Sequence, residues 1–156
     1  MGDRISILLA TYNGARFLAE QIESILAQSH EDFELLVIDD GSSDSSPAIL
    51  AGYADLDPRV RLLPSSGNQG QKQRLTELLS ASSGEFVSVS DQDDIWDRNK
   101  TARLHEGIEG RALAFGRSEL IDEEGQPLDL TLLGSLGASP EPDDRLVGLF
   151  QPAVSG

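Results

Sequence analysis

Residues 4–44 read RISILLATYNGARFLAEQIESILAQSHEDFELLVIDDGSSD, and their pattern decides the fold. Arg4 to Ala10 is a mostly apolar run of strand length, and Gly14 to Gln28 sets Leu18, Ile22, Ile25 and Leu26 on one helical face. Phe33 to Ile38 then reads as a buried strand. The same strand and helix units continue downstream. Ser46-Pro47 opens a helix carrying Ile49, Leu50 and Tyr53, with proline tolerated in its first turn. Arg59 to Leu63 is a third strand, Gln69 to Ser82 a helix through Leu75, Leu78 and Leu79, Glu85 to Ser90 a fourth strand, and Arg98 to Ile108 a further helix. Strict alternation of this kind predicts right-handed crossovers and an α/β fold: a mainly parallel, twisted sheet with helices on both faces.

Beyond Gly110 the rhythm weakens. Ala112 to Phe115 has the character of another strand, Ile121 to Gln126 of a turn at Asp122-Glu123-Glu124-Gly125, and Gly134 to Asp144, rich in Gly, Pro and Ser, of a loop or linker. The last residues, Gln151 to Gly156, carry no charged, capped or helical ending, which suggests a chain cut inside a larger fold. No internal repeat is visible.

A chain of 156 residues suits one compact domain. Its 12 basic and 27 acidic residues give a formal charge of −15, which argues against nucleic acid and anionic lipid as partners and implies that a phosphorylated ligand needs a cation bridge. There is no cysteine, and the two histidines, His30 and His105, lie far apart in sequence, so a zinc enzyme is disfavoured. Met1 leads straight into the first strand without the parts of a signal peptide, and no segment has 18 uninterrupted apolar residues. The expectation is a cytoplasmic domain without a membrane span, with the inner face of the membrane as an alternative placement.

In open parallel sheets, ligands bind beyond the carboxyl ends of the strands. The polar clusters of this chain fall there: Thr11-Tyr12-Asn13-Gly14, Asp39-Asp40-Gly41-Ser42-Ser43-Asp44, Ser65 to Gly70, and Asp91-Gln92-Asp93-Asp94. Three carboxylates so close together repel unless a cation or shared protons neutralise them, and hard oxygen ligands on one loop suit Mg2+ or Mn2+. The plain alternative is a solvated acidic turn. Tyr12 has the shape to lie flat against a planar base, and Asp40 can accept hydrogen bonds from a base NH or a ribose hydroxyl. Asp39 can instead hold its own loop by accepting backbone NH groups. Lys72 and Arg74, at the start of the third helix, suit phosphate oxygens or, equally, an exposed turn of solvated charges. Asn13 and Asp44 read as helix caps, and Gly67, Asn68 and Gly70 as turn residues.

Ala10-Thr11-Tyr12-Asn13, Asp39 to Asp44, Gly84-Glu85-Phe86 and Asp91-Gln92-Asp93-Asp94-Ile95-Trp96, in this order, resemble the family 2 glycosyltransferases, which have the GT-A fold. The last motif looks most like rhamnosyltransferase-type enzymes of cell-surface polysaccharide synthesis. The resemblance implies an inverting transfer from a nucleoside-diphosphate sugar to a glycan or lipid-linked acceptor. It further implies that Ala10, Thr11 and Tyr12 line the base, Asp40 contacts base or ribose, and Asp91, with Gln92 beside it, lies near the ribose or metal. Asp93 would hold the divalent cation, and Asp94 and Trp96 would shape the sugar end. Relatives carry Asn-Phe where this chain has Arg74-Leu75, and their catalytic base comes from sequence beyond Gly156. Residues 1–110 would then be the nucleotide-sugar-binding core and 111–156 the start of the acceptor side. Two other classes place acidic residues at strand ends, an aspartyl-phosphate phosphatase and a receiver-like binding module. The order of the loops fits them less well, and Ile95-Trp96 breaks an EF-hand pattern.

Overall fold

The computed structural model describes residues 3–108, 113–114, 119–122, 125–131 and 149–150. Residues 5–107 alternate as β1 (Ile5–Thr11), α1 (Leu18–Leu26), β2 (Phe33–Asp39), α2 (Ser46–Leu56), β3 (Val60–Leu62), α3 (Gln71–Ala81), β4 (Phe86–Ser90) and α4 (Lys100–Gly107). Four short strands follow: β5 (Leu113–Ala114), β6 (Glu119–Ile121), β7 (Pro127–Thr131) and β8 (Leu149–Phe150). The main sheet has the order β3-β2-β1-β4-β8-β5. Its first four strands are parallel, with Thr11 beside Asp39 and Leu9 beside Ser90 at one edge. Because β2 and β4 flank β1 on opposite sides, the chain reverses its winding there and leaves a crevice beyond the strand ends.

Both faces of this sheet are covered, which is why β2 lacks the polar alternation of a half-exposed strand. On one face Ile5, Ile7, Leu9, Leu35 and Val37 pack with Leu18, Ile22 and Ile25 of α1, Leu50 of α2 and Leu104 of α4. A second cluster joins Leu8, Leu36, Ile38 and Val87 to Leu78 of α3. Glu34 is the polar exception in β2. Its carboxylate is buried and accepts from Ser6 Oγ (2.7 Å), Ser83 N and Oγ (both 2.8 Å) and Arg61 Nη1 (2.7 Å).

The expected elements are present, with three differences of detail. Helix α1 starts at Leu18, not Gly14, because Asn13 takes a left-handed conformation (φ 51°) and residues 14–17 form a turn tied to the second loop. The turn at Asp122 to Gly125 joins β6 to β7, a separate antiparallel pair that the sequence did not signal. Strand β8 inserts antiparallel between β4 and β5, so the far side of the sheet is mixed. The Gly134 to Asp144 loop and the final six residues lie outside the described residues. No helix among the described residues is long and apolar enough to cross a membrane.

Candidate functional site

The four loops beyond β1 to β4 are stitched to one another by side chains. Between the first and second, Asn13 Oδ1 accepts from Ser43 N (2.8 Å) and Asp44 Oδ2 from Ala15 N (3.0 Å), while Ser46 Oγ accepts from Gly14 N (3.0 Å). Asp39 holds its own loop by accepting from Gly41 N and Ser42 N. The second loop is tied to the third through Asp40, which accepts from Gln69 N, Gly70 N (both 2.8 Å) and Arg74 Nε (2.7 Å). Gln92 ties the fourth loop to the first: Oε1 accepts from Thr11 Oγ1 (2.7 Å) and Tyr12 N (2.9 Å), and Nε2 donates to Tyr12 O (3.3 Å). Gln71 Nε2 reaches Asp91 Oδ1 at 3.1 Å and links the third loop to the fourth.

These links enclose a cleft of about 310 Å3. Ala10, Thr11 and Tyr12 line it from the first loop, Asp40 from the second, Gln71 from α3, and Asp91, Gln92 and Asp93 from the fourth. Tyr12 is 49% exposed, an aromatic face offered to solvent at the rim. Of the residues expected to contact nucleotide or metal, Lys72 and Arg74 are not among the lining; Lys72 is exposed on the first turn of α3.

Arg74 differs from its expectation as a phosphate contact. It is 1% exposed, bound to Asp40 and Glu77 Oε2 (2.8 Å) and donating to the carbonyls of Ser66 and Gly67. Burial alone would raise the Asp40 pKa; the hydrogen bonds from Gln69, Arg74 and Gly70 outweigh it and hold the carboxyl below the usual aspartate range. Trp96, expected near the sugar end, is instead a core residue, 4% exposed, that anchors the fourth loop from beneath.

The acidic loop rests on a polar stripe made of Gln21 and Ser24 of α1 and Gln28 just past its end, at helical spacing. With its amide oriented to satisfy both ends, Gln21 donates to Asp94 O and accepts from Ser90 Oγ and Trp96 Nε1. Ser24 Oγ accepts from Trp96 N (3.0 Å), and Gln28 bonds Asp97 O (2.8 Å) and Thr101 N (3.0 Å). The sequence reading missed this stripe. A polar face beside Ile22 and Ile25 is what any amphipathic helix shows, so local pattern gave no specific signal for it.

Lys100 completes the surroundings, with Nζ 3.6 Å from the centre of the Trp96 ring. Burial pushes its pKa down to about 7, against the pull of Asp94 and Asp91. Burial likewise raises that of Asp94; Lys100 opposes this, and the charges of Asp91 and Asp93 add to it. This crowding of negative charge is what a divalent cation relieves, and the donors are all hard oxygens. Among the described residues no group of three or more His, Asp or Glu side chains converges as a metal cage. The chain thus suits a cation held by one or two carboxylates, with the remaining ligands from phosphate and water, the way Mg2+ and Mn2+ are held at nucleotides.

Residues 6–133 match the family described as Glycosyl transferase family 2. The chain belongs to that family. It is 30% identical over 139 residues to the succinoglycan biosynthesis protein ExoO of Rhizobium meliloti (strain 1021), covering 88% of this chain and 39% of that protein. Its fold is similar to that of the mannosyltransferase PcManGT from Pyrobaculum calidifontis in complex with GDP-Man and Mn2+, with a TM-score of 0.65 and 23% identity over 76% of this chain and 35% of the other. S. aureus TarS 1-349 in complex with UDP gives a TM-score of 0.67 and 19% identity over 95% of this chain and 46% of the other. The fold is GT-A. The chain spans 32%, 50% and 36% of three curated relatives that it matches, about a third to a half of their length. Family membership displaces the phosphatase and receiver-like alternatives.

Proposed function

We propose that this chain is the nucleotide-sugar-binding part of an inverting, metal-dependent glycosyltransferase of cell-surface polysaccharide synthesis. Residues 1–110 form the donor-binding core and 111–156 begin the acceptor side. The observation that carries the reading is the convergence of Tyr12, Asp40, Asp91 and Asp93 on one cleft from three different loops. In this reading Tyr12 covers the base, Asp40 accepts from base or ribose, and the Ala10-Thr11 backbone forms the floor. Asp91 and Asp93 would hold Mg2+ or Mn2+, and Gln92 keeps the loops in register. A cation held by these carboxylates would supply electrostatic stabilisation of the departing diphosphate.

The acceptor hydroxyl oxygen forms a bond to the anomeric carbon from the face opposite the leaving group, the bond to the diphosphate oxygen breaks with its electron pair, and the hydroxyl proton passes to a general base. The relative ExoO, named for succinoglycan biosynthesis, supports a polysaccharide product. PcManGT, solved with Mn2+ and GDP-Man, supports a nucleotide-sugar donor used with a divalent metal. The rhamnosyltransferase likeness of Asp91 to Trp96 makes rhamnose conjugates the first donors to try.

Calorimetry with UDP, GDP and dTDP, each with and without Mn2+, tests the reading. One nucleotide should bind more tightly with the metal, and Asp93→Ala should weaken that metal-dependent binding by at least about tenfold while leaving the thermal unfolding profile unchanged. Equal affinity in variant and parent would remove Asp93 from the metal site. A parent that binds none of the three under either condition would end the proposal.

A further inference from the structure

Lys100 stands where a cation is costly. It opens α4, and a positive side chain at a helix amino terminus meets the positive end of the helix dipole. The residue is half-buried, with Nζ on the face of Trp96 at 3.6 Å from the ring centre. That indole is fixed in turn by α1: its Nε1 donates to Gln21 and its backbone N to Ser24 Oγ (3.0 Å). The charge is therefore seated at a defined place beneath the loop rather than carried on a freely moving arm.

What offsets these costs is the acidic loop. Asp94 and, less strongly, Asp91 attract the Lys100 ammonium, so one positive charge balances one of the three carboxylates of the tetrad. Arg103, the arginine of the same helix, is paired with Asp97 instead (3.5 Å). The tetrad itself divides between two clefts: Asp91 and Asp93 line the nucleotide cleft, while Asp93 and Asp94 line a second, of about 300 Å3, beside it. Lys100 lines neither. It supplies positive charge to the loop without filling the space in which a ligand would lie, and it bears most on the carboxylate outside the nucleotide cleft.

We propose that Lys100 is a built-in counter-ion of the acidic loop, which holds the loop in place without metal and, by repelling a bare cation, makes metal binding depend on the nucleotide. The inference rests on the reading of Asp91 and Asp93 as metal ligands. A divalent cation arriving alone meets the ammonium as well as the carboxylates, and the two positive charges oppose each other even through water. A nucleoside diphosphate brings anionic oxygens that offset this repulsion, so cation and nucleotide bind better together than either does alone. Lys100 is thus a positioning residue, acting on ligands through the charge balance of the loop.

The test compares the parent with Lys100→Met and Lys100→Gln, which drop the charge, and with Lys100→Arg, which keeps it. Free Mn2+ is followed by its electron paramagnetic resonance signal at pH 6.5, where Lys100 is charged, with and without UDP, GDP or dTDP. The neutral variants should bind Mn2+ alone at least about threefold more tightly than the parent. The gain in Mn2+ affinity that nucleotide brings should shrink in them by a similar factor, and Lys100→Arg should behave as the parent does. Loss of a merely structural residue would loosen the loop and weaken metal binding instead. Thermal unfolding supplies a second readout: Mg2+ alone should raise the Tm of the neutral variants and leave that of the parent unchanged, and a neutral variant that folds only with Mg2+ would support the proposal in the same way.

Neutral variants that bind Mn2+ no more tightly than the parent, a matching gain in Lys100→Arg, or neutral variants that stay unfolded even with Mg2+ would overturn it. If the parent binds a nucleotide together with Mn2+ while the neutral variants show no tightening, this inference alone falls. Tightening in the neutral variants without nucleotide binding to any of the proteins would support it while sinking the donor-site reading. Mn2+ bound by none of them under any condition would remove the metal site, and the inference with it.

Discussion

Single residues decide how much of the acidic character of this chain is available to a ligand. Glu34 and Asp40 are both buried carboxylates of the second strand and its loop, and both are engaged by internal partners. For Glu34, burial alone would raise the pKa; hydrogen bonds from Ser6, the Ser83 backbone and hydroxyl, and Arg61 outweigh it and lower the value from 4.5 to about 2. Because the folded value lies below the unfolded one, the stabilisation is complete above about pH 4.5 and is lost as the pH falls toward 2. A shift of that size corresponds to about 3 kcal/mol at neutral pH, an upper figure because Arg61 and Arg4, 3.7 Å away, are both half exposed. Glu34→Gln should therefore unfold at lower urea concentration at pH 7, and its stability should vary less than the parent's between pH 4.5 and 2. Parallel pH profiles for the two proteins would show that Glu34 contributes no such linkage. Asp40 gives a different lesson. An Asp at a strand end and an Arg in the next helix each suggested a ligand contact, yet Arg74 spends its charge on Asp40 and Glu77, leaving Asp40 to face the cleft with only part of its accepting capacity.

At the scale of elements, the site depends on how closely the first and fourth loops approach. Gly14 marks the distance: a Cβ there would lie 2.6 Å from Gln92 Oε1, 2.9 Å from Gln92 Cδ and 2.9 Å from Thr11 Oγ1. The movable party is the Gln92 amide, and moving it releases its bonds to Thr11 Oγ1 and Tyr12 N. Gly14→Ala should then cost about 1–2 kcal/mol in stability, with a larger proportional loss in nucleotide affinity, measured by urea denaturation and calorimetry on the same samples. Unaltered nucleotide affinity would mean that the clasp does not organise the cleft. Helix α1 contributes in two ways, burying Leu18, Ile22 and Ile25 against the sheet and offering Gln21 and Ser24, with Gln28 just past its end, to the segment from Ser90 to Thr101. Its apolar stripe was legible because burial imposes a 3.6-residue period. The polar stripe was not read because its partners lie about 70 residues downstream, at a separation where local periodicity carries no information.

For the whole molecule, a ligand that spans the cleft would brace four segments brought together from Ala10 to Asp93. A nucleotide that binds with its metal should raise the melting temperature by roughly 5–10 °C at about 100 times its dissociation constant, and neither component alone should do so. Thermal shift with UDP, GDP or dTDP and Mn2+, singly and together, is the measurement; equal shifts from metal alone would point to a cation site independent of nucleotide. The alternation of β1 to α4 and the position of each polar cluster at a strand end were set by the sequence itself, because covered parallel strands and amphipathic helices leave local patterns. The antiparallel entry of β8 between β4 and β5, the pairing of β6 with β7, the turning inward of Arg74 and Trp96, and the division of the acidic loop between two clefts were decided only by the tertiary structure. The reason is physical: a short strand takes its place from the hydrogen-bonding edge it finds, and a side chain's role depends on which distant groups reach it first.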